Sequence, residues 1–241
     1  MRVCMLTTGF PRFRGDLFGA FVLELARELV CQGVTVEVVA PHQAGLPTRE
    51  LLDGVEVRRF RYLVPAGWQR VAYGGGIPTN LQASALVRCQ VPLFMAGFTL
   101  AARRAAARAD LVHCHWTASG IAGIGAVLGR RRPLVLTVRG SDLHLQGDAA
   151  GRLNRRVWRK MDRVAAVSQD LADRLVQAGV APDCVTVLHN GVSERFAPVD
   201  RQAARQRLGL PPDRFVLLFV GLLVPVKGLD LLLEALGQLA D

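Results

Sequence analysis

Two hydrophobic rhythms alternate along this chain. Short, nearly unbroken apolar runs recur at Arg2 to Thr7, Val34 to Ala40, Leu111 to His115, Leu134 to Val138, Arg163 to Val167 and Cys184 to Leu188. Such runs, apolar at alternate and intervening positions alike, mark parallel strands buried on both faces. Between them, apolar residues fall at three-to-four spacing. Phe21, Val22, Leu25, Ala26, Leu29 and Val30 line one side of a helix over Ala20 to Gln32, with Gly33 placed to end it. Further helices are predicted over Leu81 to Ala107, with a break or kink at Pro92, and over Ala118 to Leu128 and Ala150 to Met161. Another runs from Gln169 to Ala178, with Ser168 as its N-cap. Strands interleaved with helices of this length predict an α/β fold on a doubly wound, mostly parallel, Rossmann-like sheet.

Three stretches depart from that rhythm. Gly54 to Tyr62 alternates Val55 and Val57 with charged neighbours and reads as an edge strand with one solvated face. Leu63 to Thr79 is rich in Gly and Pro and includes Gly74-Gly75-Gly76. It reads as a mobile loop, with a phosphate cradle as the alternative. Phe196 to Asp213 is a Pro- and Arg-containing connector with a short helix, Arg201 to Leu208. After it a second strand–loop–helix begins: Val216 to Val220, then Gly221, Lys227-Gly228 and a helix over Leu229 to Leu239. A glycine turn and a lysine before a helix N-terminus suit a phosphate group, since free N–H groups and the helix dipole face it. The expected organisation is residues 1–195 as one Rossmann-like domain, 196–213 as a linker and 214–241 as the first strand and helix of a truncated second domain.

Hydrophobic residues make up 51% of the 241, ample for a folded core, and no run is expected to cross a membrane. The first residues read as a strand rather than a signal peptide, which predicts a cytoplasmic protein. Cys4, Cys31, Cys89, Cys114 and Cys184 have no metal-ligand spacing and are expected to be reduced and mostly buried. The net charge of +10 comes almost wholly from arginine, with clusters at Arg103-Arg104, Arg130 to Arg132 and Arg152 to Lys160. Such clusters favour phosphorylated ligands or peripheral contact with an anionic inner membrane face. Nucleic acid is not an expected partner, because interleaved aromatics and reader motifs are absent.

In an open parallel sheet ligands sit beyond the carboxyl ends of the strands. Those ends gather Thr8 to Gly15, His115-Trp116, Arg139 to Asp142, Ser168 and Asn190-Gly191. The loop after the first strand is not GxGxxG, which weighs against a dinucleotide cofactor. Its glycines either bring backbone close to a ligand at Gly15 or Gly19 or simply shape a turn. Asp142 and His115 are the candidates for proton transfer and Arg139 is the fixed cation of the group. His113 alternates with His115, so one of the two faces the core; His115, nearer the strand end, is favoured for the site, a structural role being the alternative. Trp116 suits either packing or sugar stacking. Neither a hydrolase triad nor a metal site has its spacing here.

The chain resembles the family 4 retaining glycosyltransferases of the GT-B fold. The carriers are TTGFPRFRGDLFGAFVLELARELVCQGVTVEVVAPH, ADLVHCHWTASG, LTVRGSD, RVAAVSQDLADRLVQAGV, VTVLHNGVSERFAP and FVGLLVPVKGLDLLLEAL. The resemblance implies two facing Rossmann-like domains and transfer of a sugar from a nucleotide-sugar, with retention and with neither metal nor cofactor. It implies an N-terminal domain that holds the acceptor, whether a glycan, a lipid or a small molecule. It implies Gly15, Asp16, Gly221 and Lys227 at the donor, while the reading of the strand ends makes Arg139, Asp142 and His115 the catalytic candidates. Trp116, Ser141 and Asn190 fall to the acceptor. Leu222 stands where the family carries an arginine, Arg139 where it often carries a histidine, and Ser193 where it often carries an aspartate. The family's paired donor-binding glutamates fall beyond Asp241, so the chain alone is expected to be weak or inactive. The alternative is a non-catalytic module that binds an acceptor or an anionic lipid.

Overall fold

The computed structural model describes residues 1–143, 148–192, 196–221, 223 and 227–239, with 143, 148 and 149 described by backbone alone. It divides into two compact units, Met1–Gly191 and Val192–Asp241. The first unit runs β1 (Arg2–Thr7), α1 (Ala20–Cys31), β2 (Thr35–Pro41), β3 (Arg49–Leu52), β4 (Val55–Phe60), α2 (Gly76–Ala83) and α3 (Ala85–Ala106). It continues through β5 (Leu111–His115), α4 (Thr117–Val127), β6 (Leu134–Val138), α5 (Gly140–Leu143), α6 (Asp148–Trp158), β7 (Arg163–Ala166), α7 (Gln169–Gln177) and β8 (Val185–Val187).

The described strands form one eight-stranded sheet in the order β3-β4-β2-β1-β5-β6-β7-β8. Every pairing is parallel except β3 with β4. The order reverses between β1 and β5, where the chain leaves one half of the sheet for the other. That switch point opens a crevice beyond the carboxyl ends of the strands. The alternation along β1 shows why the strands read as continuous apolar runs. Cys4 and Leu6 join the core under α3 and α4, while Val3 and Met5 join a second core under α1. Both faces of the strand are dry, as a parallel sheet between helix layers requires.

Three glycines of α4 are spacers. A Cβ on Gly123 would lie 2.5 Å from Cys114 Sγ, one on Gly120 2.9 Å from Val157 Cγ1 and one on Gly125 2.7 Å from Thr99 Cγ2. They let α4 sit close to the sheet, α6 and α3, which is packing and not a nucleotide fingerprint.

Several expectations need correction. The strand at Val55–Phe60 is not an edge: β4 pairs with β2 on one side, and the short antiparallel β3 covers the other. Charged β3, RELL, is too brief to show a strand rhythm in the sequence. The segment expected to be a mobile loop is anchored. Val71 and Tyr73 are buried, Val71 N donates to Tyr62 Oη at 2.9 Å, and Asn80 Nδ2 donates to the carbonyls of Val71 and Tyr73. Its last glycine, Gly76, begins α2 rather than lying in a free loop. The helix break comes at Ser84 and α3 runs on through Pro92. By length and composition α3 is also apolar enough to cross a membrane. Phe94, Phe98, Ala101, Ala102 and Ala105 pack it into the core instead, on one face only. Of the cysteines, Cys4 and Cys114 are buried but Cys31 and Cys89 are exposed.

In the second unit, α8 (Arg201–Leu208) and α9 (Leu229–Gln238) are helical. None of its described residues forms a strand, and Val216 to Val220 lacks the predicted one. Phe215, Leu218 and Val220 are 90%, 79% and 84% exposed. A strand is held by a neighbour's N–H and C=O groups, and no partner strand is described in this unit. The residues Leu222 and Ser193, singled out as departures from the family, lie outside the described residues.

Candidate active site

The carboxyl end of the sheet begins with a fixed turn. Thr7 Oγ1 donates to the Gly9 carbonyl at 2.7 Å and accepts from Gly9 N at 3.2 Å. The loop that follows closes on itself through Asp16, which accepts from Arg12 N at 2.9 Å, Arg12 Nε at 2.6 Å and Phe18 N at 3.2 Å. The Arg12 hydrogen bond holds the Asp16 carboxyl down at about 2, outweighing the effect of burial. Asp16 therefore staples the loop and has little capacity left for a ligand. Gly15, exposed with φ +89 and with open space where a Cβ would stand, is the free backbone of this loop. Gly19 is its tight point: at φ +73 a Cβ would collide with the Gly9 carbonyl oxygen.

A buried arginine underlies the same loop. Arg59, at 2% exposure, donates to the Pro11 carbonyl at 2.7 Å, Tyr73 Oη at 3.0 Å and Glu50 Oε1 at 2.7 Å. Tyr73 Oη in turn donates to the Pro41 carbonyl at 3.0 Å. Arg139 is thus not the one fixed cation at this end of the sheet. Nothing in the RRFRY run distinguishes Arg59, because charge in a short strand suggests a solvated face. Only β3 and the loop at Tyr73 bury it.

Across the switch point, Trp116 joins β5 to α4 with φ 66 and ψ 151, a conformation a non-glycine residue holds at a cost on the order of 1–3 kcal/mol. Trp116 N donates to the Thr137 carbonyl at 3.1 Å, and Trp116 Nε1 donates to Ser141 Oγ at 3.1 Å. Its ring meets Phe21 edge-on at 5.6 Å. Tyr73, at φ 67, is a second left-handed residue beside the loop after β1.

Arg139 follows β6 and is 9% exposed. Its guanidinium lies 3.9 Å from the Phe21 ring centre and 5.8 Å from that of Trp116, and Nη1 donates to Asn190 Oδ1 at 2.5 Å. Burial lowers its pKa to about 10, against the nearby charge of Asp142, so it is a cation at neutral pH. Asp142, 4% exposed, accepts from Thr117 N at 2.7 Å and Arg139 N at 2.9 Å. Burial raises its pKa, and those amide bonds oppose the rise. With both oxygens on backbone amides, Asp142 fixes the starts of α4 and α5 and is a positioning residue. Trp158 Nε1 donating to Thr117 Oγ1 at 2.9 Å holds the same turn from α6.

His115 does not reach this surface. It is fully buried, both ring nitrogens lack partners, and burial with the fields of His113 and Arg139 holds it well below the usual histidine range. His113 and His115, two residues apart on β5, share one face of the sheet, with ring centres 4.3 Å apart. The expectation that only one of them faces the core therefore fails, and packing buries His115 although it is nearer the strand end. His113 is the less buried of the two, 2.8 Å from Thr137 Oγ1 and held at about 4 by burial and then Arg139. The structure thus brings together Arg139, Asn190, Trp116, Ser141 and Asp142, with Gly9 of the first loop against the Trp116 ring. Gly15 and Asp16 lie further along that loop. Ser168 caps α7, its Oγ accepting from Leu171 N at 3.3 Å. Gly221 and Lys227 belong to the second unit, where Lys227 is exposed just ahead of Gly228, the left-handed N-cap of α9.

Residues 18–191 match the glycosyl transferase 4-like domain family. The chain is 35% identical over 249 residues to D-inositol 3-phosphate glycosyltransferase 1 of Catenulispora acidiphila, a match covering 93% of this chain and 53% of that protein. It is 36% identical over 246 residues to the D-inositol 3-phosphate glycosyltransferase of Streptomyces bingchenggensis, covering 94% and 51%. The chain therefore spans about half the length of these curated relatives. Among solved structures, sucrose-phosphate synthase from Thermosynechococcus elongatus superposes with a TM-score of 0.70 at 17% identity, over 99% of this chain and 60% of that one. Anabaena HepE in complex with UDP-glucose does so at 0.64 and 22%, over 99% and 57%. The likeness to those structures is one of fold, and the strand order, the crevice at the switch point and the matched residues agree: this chain belongs to the glycosyl transferase 4-like family.

Proposed function

We propose that residues 1–191 hold the acceptor in the transfer of a sugar from a nucleotide-sugar, with retention at the anomeric carbon and without a metal. The carrying observation is the cluster of Arg139, Asn190, Trp116 and Ser141 at the carboxyl end of the sheet, beside the glycine loop after β1. Family membership supports the reaction class, and the relatives' names support a phosphorylated polyol such as D-inositol 3-phosphate as a first acceptor to test. HepE, solved with UDP-glucose, supports a nucleotide-sugar donor.

In this reading the residues of the chain position groups and meet charge. Gly15 lets backbone approach the donor phosphates. Lys227 and the N–H groups at the start of α9 meet the diphosphate, where negative charge grows as the nucleotide leaves. Arg139 holds charge and takes no proton, since a guanidinium does not deprotonate in proteins. Asp142 and His115 are positioning and core residues, so no side chain of this cluster serves as a base.

The test joins residues 1–191 to the donor-side half of the Streptomyces relative. The chimera is expected to release nucleotide from a panel of UDP-, GDP- and ADP-sugars only with acceptor present, and to give a product of retained anomeric configuration. Inversion, or no transfer by a folded chimera that binds donor, overturns the proposal. The 241 residues alone are expected to give no turnover, because the described part of the second unit forms no sheet. Turnover by the chain alone would remove that division of labour.

Peripheral contact with anionic membrane fits one further feature. Leu86, Leu93 and Leu100 recur every seventh residue on the exposed side of α3, where Arg88, Arg103 and Arg104 are also exposed. Salt-sensitive sedimentation with anionic vesicles, lost on Leu93→Ser with Leu100→Ser, supports that contact; no sedimentation at low salt rejects it.

A further inference from the structure

Among the described residues Arg139 is a buried cation with no ion pair. One of its faces is covered by Phe21 at 3.9 Å, and Nη1 is held by the neutral amide of Asn190. Its Nε is buried and has no hydrogen-bond partner, and among the described residues Nη2 makes no hydrogen bond either. Asp142 is the carboxylate in its field, but both Asp142 oxygens accept from the backbone amides of Thr117 and Arg139.

Elsewhere at this end of the sheet the chain behaves differently. Arg59, more deeply buried, is paired with Glu50, and Arg12 with Asp16. Burying an unpaired charge is strongly unfavourable. The Nε and Nη2 edge is the side of the guanidinium fork that matches two oxygens of a carboxylate or phosphate. The stacked aromatic and the Asn190 bond hold that edge in one orientation, so little ordering remains when an anion arrives.

We infer that Arg139, set by Asn190, Phe21 and Trp116, is the receptor for one compact oxyanion, a carboxylate or a phosphate, carried by a substrate of the transferase. The chain is thereby specific for an acidic substrate, and Arg139 is the specificity-determining residue. This rests on the transferase reading for what the ligand is part of, but not for the anion site itself.

The experiment is calorimetric titration of the 241-residue chain at low salt and neutral pH with two matched pairs. The phosphate arm compares D-inositol 3-phosphate with inositol; the carboxylate arm compares glucuronate with glucose. In at least one arm the acidic compound is expected to bind about ten or more times tighter than its neutral twin, about 1.4 kcal/mol. Arg139→Gln should bring the twins within about twofold of each other, and Arg139→Lys should keep part of the preference, a charge without the fork. Asn190→Asp is the second probe, since Asn190 is exposed and bonds Nη1 directly. Its new carboxylate on Nη1 should satisfy the cation internally and weaken the acidic ligand about tenfold while thermal unfolding holds or rises. Preference in the phosphate arm places the anion on a phosphorylated polyol; preference in the carboxylate arm places it on a sugar acid. No preference in either arm, or one that survives both Arg139→Gln and Asn190→Asp, overturns the inference. A chimera that transfers sugar without any anion preference removes this inference alone. Anion preference in a chain whose chimera transfers nothing removes the transferase reading alone.

Discussion

Gly15 and Gly19 sit in one loop, both with positive φ, and differ only in what surrounds them. Replacing either by alanine imposes a left-handed conformation on a residue with a Cβ, worth about 1–2 kcal/mol. At Gly15 that is the whole effect, because a methyl there meets nothing within 4 Å. At Gly19 the methyl runs into Gly9 O, with Gly9 C at 2.7 Å and Phe10 N at 3.0 Å, all of them backbone atoms. Gly9 cannot retreat freely, since Thr7 Oγ1 bonds both its N–H and its carbonyl. Overpacking against fixed atoms adds about 1–3 kcal/mol. Gly15→Ala is therefore expected to destabilise by about 1–2 kcal/mol and Gly19→Ala by about 2–5 kcal/mol. For a unit of this size each kcal/mol moves the midpoint by roughly 2–4 °C. Urea and thermal unfolding, followed by far-ultraviolet circular dichroism and tryptophan fluorescence, read both values. Equal losses for the two variants would refute the steric argument, and a larger loss at Gly15 would show that its loop is packed rather than open.

Three further outcomes follow from packing and charge. Gly123→Ala should destabilise by about 1–3 kcal/mol through the 2.5 Å approach to Cys114 Sγ, and Cys114→Ala in the same chain should recover part of it, a non-additivity that a double-mutant cycle of urea midpoints measures. Asp16 has a folded pKa of about 2 against an ordinary 3.8, so its contribution is complete above pH 3.8 and lost as pH falls through about 2. Asp16→Asn should flatten that acid limb by on the order of 1 kcal/mol in unfolding measured against pH. His113 and His115 are both held below 6.5, so the unfolded chain takes up protons that the fold resists, and stability should decline as pH drops from 6.5 towards 4. His115→Phe removes two orphaned ring nitrogens and should shallow that decline at little cost at about pH 8; a steeper decline would contradict its placement.

The sequence by itself determined what local physics controls. Runs apolar at every position can be buried only between two helix layers, so the parallel α/β sheet was legible, as were Gly33 and Ser168 at their helix ends. The helix that carries the α4 glycines was legible from its periodicity, but what each glycine packs against was not. Ordered motifs carried the family, and the strand ends named Arg139, Trp116, Ser141 and Asn190 as neighbours. Only the tertiary structure decided how the titratable groups divide. Packing against the layer over β5 sealed His115 inside while His113 on the same face stayed less covered, and turn geometry committed both Asp142 oxygens to backbone amides. Pairing with the short strand β3 turned Arg59 from a solvated charge into a buried anchor for the first loop. Those outcomes depend on which distant groups reach a side chain, and spacing along the chain carries no record of that. Arg139 shows the difference most clearly: its position was readable, but its lack of an ion pair among the described residues emerges only once Phe21, Asn190 and Asp142 converge around it.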